Sequence, residues 1–81
     1  MSSNLKQDIS IGENLQKLRR QARFTQAQAS ARLAMLGINV SPAVLAKMEQ
    51  GRYSVRISVL LALKQIYKVR SFDEFFKDLS L

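Results

Sequence analysis

Apolar residues recur along this chain at helical rather than alternating spacing. Ile11, Leu15, Leu18 and Ala22 form a one-sided stripe with a period near 3.6, which predicts an amphipathic helix near 11–22. Ser10 and Glu13 have the spacing of a capping box at its start. Thr25 and Gln28 repeat that spacing ahead of Ala29, Leu33 and Leu36, predicting a second helix near 26–36 that stops at Gly37. Ser41 precedes Pro42, which suits the first helical position because its missing N–H has no partner there in any case. The third helix then runs near 42–50 and ends at Gly51, the residue type best able to adopt a left-handed C-terminal cap. A fourth, near 57–67, carries Ile57, Val59, Leu60, Leu61, Leu63 and Ile66, but Arg56 offers no capping oxygen at its start. Ser71 with Glu74 opens a fifth, near 72–79, holding Phe72, Phe75, Phe76 and Leu79. The expected fold is all-α, with five helices. Residues 1–9 read as a flexible N-terminal segment and 10–81 as one domain.

At 81 residues the chain has room for a single compact core. It contains neither cysteine nor histidine, which removes disulfides, thiolate metal sites, the commonest general base and the commonest metal ligand. Its few carboxylates are scattered, with no nucleophile–base pair and no glycine-rich phosphate loop, so neither catalysis, nor a cofactor, nor a metal, nor a small-molecule ligand is expected. No stretch is long and apolar enough to span a bilayer, and Met1–Lys6 lacks an apolar signal core. A cytoplasmic protein without a membrane partner is the expectation.

Charge sharpens the picture. Thirteen Lys and Arg face six Asp and Glu, for a net charge of +7. Between Asn14 and Arg70 lie eleven basic residues and one acid, Glu49. A centre this basic favours a polyanion, nucleic acid ahead of an anionic membrane. Within it, the second and third predicted helices are joined by a short glycine-containing turn. The third should bury Leu45 and Met48 and turn Pro42, Ala43, Val44 and Lys47 outward. This describes a helix-turn-helix.

The order of pieces resembles the lambda-repressor-like, or XRE-type, helix-turn-helix family of phage repressors, Cro proteins and small bacterial regulators. The matching residues are Ile11–Arg19, Thr25-Gln26, Val40-Ser41, Met48–Arg52 and Lys68–Phe76. The resemblance implies a bacterial or phage-encoded DNA-binding regulator, acting as a homodimer on an inverted-repeat site in double-stranded DNA. It implies that the third helix enters the major groove, with Pro42, Ala43, Val44 and Lys47 at the bases and Gln26, Gln50, Arg52, Tyr53 and Arg56 at phosphates. It implies that Arg19 bonds Glu49, orienting the third helix, and that Phe72, Phe75, Phe76 and Leu79 contribute to a dimer face. Arg20, Arg23 and Arg32 read equally well as solvated charges.

Two features depart from the family pattern. Ala34–Asn39 lengthens the connection, so either the second helix is longer or the turn is wider. The start of the third helix offers no side-chain hydrogen bond from Pro42, Ala43 or Val44; alanine and valine suit thymine methyl groups, and Lys47 suits guanine O6 or N7. Specificity would then lean on DNA shape. The alternative is that this apolar patch contacts a protein, making the domain an antitoxin-like or antirepressor-like interaction module.

Overall fold

The computed structural model describes residues 9–79, so most of the predicted N-terminal segment lies outside the described residues. The described chain is all-helical. It has four α-helices, α1 (Gly12–Gln21), α2 (Gln26–Met35), α3 (Pro42–Glu49) and α4 (Ile57–Ile66), followed by a 3-10 helix, Phe72–Phe76. Leu15, Leu33, Leu45, Leu63 and Phe75 are completely buried at the centre, one from each element. The apolar stripes predicted for α1 and α3 both face this core.

The starts of α2 and α3 follow from local chemistry. The Thr25 hydroxyl accepts from the Gln28 N–H at 3.1 Å while the Gln28 side chain accepts from the Thr25 N–H at 2.9 Å. The Ser41 hydroxyl accepts from the Val44 N–H at 3.1 Å, with Pro42 at the first position. Each arrangement satisfies N–H groups that have no partner inside the helix. At α1 the predicted box does not form. Ile11 is the cap, and the Ser10 hydroxyl accepts instead from the Gly12 N–H at 3.0 Å. There is a tertiary reason: the Ser10 side chain lies against Gly51, so its position is set by the end of α3.

All four α-helices end alike. In each, the N–H two residues past the cap bonds back to the carbonyl of the third-last helical residue, and the intervening residue takes a left-handed conformation. Gly37 and Gly51 fill that position after α2 and α3. After α1 and α4 it falls to Arg23 (φ 63°) and Lys68 (φ 55°), which bear a Cβ and hold the conformation at some cost.

The fifth predicted helix is corrected in kind and length. It is a 3-10 helix of five residues, and the Ser71 hydroxyl accepts from the Asp73 N–H at 3.2 Å rather than closing a box with Glu74. The Asn14 side-chain amide, on α1, donates to the carbonyls of Phe75 and Lys77, both at 2.9 Å. A clamp from α1 thus takes carbonyls that a continuing helix would use, and Lys77 is extended. Leu36, predicted on the buried stripe of α2, caps that helix instead and is exposed.

Helices α1 and α3 cross at Gly12. A Cβ there would collide with the backbone carbonyls of Met48 and Glu49. Gly12→Ala should therefore lower stability by about 1–3 kcal/mol through overpacking against rigid backbone. Lys68→Gly should raise it by about 0.5–1 kcal/mol by relieving the left-handed residue. Urea unfolding of the two variants checks both signs.

Candidate nucleic-acid interface

The crossing at Gly12 brings the last turn of α1 beside the last residue of α3, and there the chain buries two charges. Arg19 Nε donates to Glu49 Oε2 at 2.7 Å and Arg19 Nη2 donates to Glu49 Oε1 at 3.0 Å, a two-pronged pairing. Both residues are buried. Arg19 Nη1 donates to the Phe24 carbonyl at 2.8 Å, and the Gln26 side-chain amide donates to Glu49 Oε1 at 3.1 Å. The carboxylate therefore accepts three N–H bonds, and the guanidinium gives three. The bond to Glu49 raises the Arg19 pKa against the opposing effect of burial, so the cation persists at all ordinary pH. This cluster ties α1, the α1–α2 turn, the first residue of α2 and the end of α3 into one unit.

Gln26 is consequently half-buried, with one amide hydrogen committed to Glu49. Its other amide hydrogen and the unpaired N–H groups of the first turn of α2 remain to meet an anion.

Around α3, Leu45 and Met48 are buried, while Ala43, Lys47 and Gln50 are exposed at i, i+4 and i+7 and form one outward ridge. Pro42 is exposed at its tip. Arg52 continues the ridge, its Nη1 donating to Gln50 Oε1 at 3.3 Å. Val44 departs from the expected outward set: it is half-buried and packs on the core. Val44, Tyr53 and Arg56 instead line one groove, closed on its far side by residues 37–40 of the turn. The structure thus divides the sequence-predicted contact residues from Pro42 to Arg56 between a ridge and an adjacent groove, with Gln26 apart from both at the ion pair.

The extra length between α2 and α3 is shared. Ala34 and Met35 extend α2, and Leu36–Ser41 make a wide turn. The turn is tied down, because Val40 is buried and its carbonyl accepts the Ser30 hydroxyl. In the sequence, Ser30 is marked only as a polar side chain within a small-residue helix. Met35 is 79% exposed at the outer edge of this turn.

Of the residues expected at a dimer face, Phe72, Phe76 and Leu79 expose surface, and the Phe72 ring packs on Phe75 at 6.2 Å. Phe75 is fully buried and belongs to the core, so it has no surface to offer a partner. Phe72 lies under Lys64 of α4, whose Nζ is 5.3 Å from the ring centre. Leu79 lines a separate cleft with Ser10, Asn14, Lys17 and Gln50. Phe76 is exposed between them in sequence. Arg32 is not simply solvated, since its guanidinium stacks 5.3 Å above the Phe24 ring, which in turn packs on Tyr67 at 6.0 Å.

Tyr67 is buried, and its hydroxyl has no hydrogen-bond partner among the described residues. Burial, reinforced by the negative charge of Glu49, pushes its pKa well above the ordinary tyrosine value.

Among the described residues, no helix is long and apolar enough to cross a membrane. Comparison with known families finds a match to the helix-turn-helix domain over residues 10–74. No curated protein and no solved structure matches the chain.

Tyr67→Phe should stabilise the fold by about 1 kcal/mol at neutral pH, because it removes an unpaired buried hydroxyl. The raised pKa in the folded state means that the Tyr67 contribution is complete below about pH 10 and is lost as pH rises above it. The advantage of Tyr67→Phe over the native chain should therefore widen on going from pH 7 to about pH 11, as read by urea unfolding. A constant difference would mean that Tyr67 ionises normally.

Proposed function

The chain belongs to the helix-turn-helix domain family, and from that premise we propose that it is a sequence-specific DNA-binding transcriptional regulator acting as a repressor. The observation that carries this reading is the outward ridge of α3, made of Ala43, Lys47 and Gln50 and held in orientation by a buried ion pair at its base. On this reading α3 lies in the major groove. Lys47 reaches a guanine edge, and Pro42 and Ala43 meet thymine methyl groups. Val44, being half-buried, contributes less than its neighbours. Arg52, Tyr53 and Arg56 follow the ridge and engage phosphates, as do the N–H groups at the start of α2 beside Gln26. Two copies on an inverted repeat supply the remaining specificity through half-site spacing and DNA shape. Repression requires only occupancy, and the family is typically non-enzymatic. The setting is cytoplasmic, where the regulated DNA lies.

A second reading has one observation behind it. Met35 and Leu36 expose apolar surface at the wide turn, and Pro42 and Ala43 are exposed at the start of α3. A protein-interaction module would use that surface.

Three substitutions and one base exchange separate these readings on a site selected from random DNA. Lys47→Ala should relax preference at one position by about 1–3 kcal/mol. Arg52→Ala should weaken all sequences alike and make the salt dependence shallower by about one unit. Exchanging a contacted thymine for uracil should weaken binding through loss of the methyl group alone. If sequence preference survives Lys47→Ala and the uracil exchange, α3 does not read DNA. If Ala43→Glu abolishes capture of a protein partner while DNA is ignored, the second reading stands.

A further inference from the structure

The widened turn between α2 and α3 is left without a role. Ile38 packs on the core, Val40 is buried and the Ser30 hydroxyl donates to the Val40 carbonyl, so the turn holds one shape. Between those two anchored residues Asn39 is exposed, and its side-chain amide has no hydrogen-bond partner among the described residues. The turn thus presents a carboxamide with both N–H donors and its acceptor oxygen uncommitted. Asn39 is also the last residue of Ala34–Asn39, the stretch that lengthens the connection.

The surroundings of Asn39 identify what the amide meets. Asn39 lines the groove that Tyr53 and Arg56 also line, with the half-buried Val44 and the buried Met48 between them. The groove encloses about 360 Å³. No carboxylate lines it, whereas Glu13, Glu49 and Asp78 all line the cleft between α1 and the C-terminal segment. The charge of the groove is therefore that of Arg56 alone, and it favours an anion. Shape narrows the choice further. The sugar-phosphate backbone is the protruding part of a duplex and fits a groove, whereas base edges are recessed and are reached by a ridge such as that of Ala43, Lys47 and Gln50.

We propose that this groove is a channel for one strand of the DNA backbone, held from both sides. Arg56 and Tyr53 engage a phosphate from one wall, and the Asn39 amide donates to the same phosphate from the other. Val44, turned away from the bases, packs on the adjoining sugar. The proposal rests on the DNA-binding reading and deepens it, because it adds Asn39 to the contact set and gives the widened turn its role. The turn supplies a second wall to a groove that α3 and the segment after it would otherwise leave open. A phosphate contact from a neutral amide strengthens binding to every sequence alike and releases no further counterion.

The test titrates the native chain, Asn39→Ala, Asn39→Asp and Arg56→Ala against the selected site, with urea unfolding to verify that each variant is folded. The same proteins are titrated against copies of the site in which one phosphate at a time is replaced by an uncharged methylphosphonate. Asn39→Ala should lose about 10-fold in affinity on every sequence, with base preference and salt dependence unchanged. Asn39→Asp, equal in size but negatively charged, should lose about 30-fold or more. Arg56→Ala should make the salt dependence shallower by about one unit. One methylphosphonate position should weaken the native chain and have a smaller effect on both Asn39→Ala and Arg56→Ala. Affinities of Asn39→Ala and Asn39→Asp within about twofold of native would overturn the channel. A loss of preference at one base pair in Asn39→Ala would overturn it in favour of base reading by the turn. Sensitivity to different phosphates in the Asn39 and Arg56 variants would overturn the shared grip. Failure of the native chain to bind DNA at all would overturn the DNA-binding reading and the channel with it, whereas the other adverse results overturn the channel alone.

Discussion

The salt bridge between Arg19 and Glu49 is the constraint on which the rest of the structure depends. Two opposite charges taken out of water are tolerable only when their geometry is good and their remaining donors and lone pairs are occupied. Both conditions hold. The guanidinium meets the carboxylate at two points and spends a third donor on the Phe24 carbonyl. The carboxylate takes its third bond from Gln26. Every partner in the cluster comes from a different part of the helix-turn-helix frame. A rotation or slide of α3 would therefore strand a buried charge, which costs far more than the pair contributes while intact. The consequence for function is an α3 whose outer face has one orientation.

Backbone geometry makes that cluster possible. Gly12 lets α1 approach the last carbonyls of α3 more closely than any residue with a Cβ would allow, and Gly51 turns the chain away beside Ser10. At the other end of α3, Ser41 caps the helix and the buried Val40 holds the wide turn, with Ser30 bonded to its carbonyl. Helix α3 is thus fixed at both ends, by an ion pair at one and a capped, anchored turn at the other. The added length between α2 and α3 is absorbed without loosening either.

The sequence is most legible where structure is decided locally. The capping oxygens of Thr25 and Ser41, Pro42 at the first position and Gly51 at the end of α3 are visible as patterns because each acts within a few residues. Misreadings occur where distant residues intervene. Ser10–Glu13 and Ser71–Glu74 have the same spacing as Thr25–Gln28. Yet Ser10 is drawn toward Gly51, and the carbonyls after Ser71 are claimed by Asn14, more than sixty positions earlier. The ends of α1 and α4 carry no glycine to mark them, because Arg23 and Lys68 take the left-handed position themselves. For the site, family likeness suggests a contact between Arg19 and Glu49, but no spacing reveals that Gln26 joins it. The half-burial of Val44 and the full burial of Phe75 are likewise products of packing.

A double-mutant cycle on the buried pair tests the central claim most directly. Unfolding free energies are measured for the native chain, Arg19→Ala, Glu49→Ala and the double variant. Each single change should cost about 3 kcal/mol, because it leaves one charge buried and unpaired. The double variant should cost less than their sum by at least about 1 kcal/mol, the two losses being largely the same loss. Additivity within about 0.5 kcal/mol would mean that the two residues act independently, and that something other than their bond holds α3 in place.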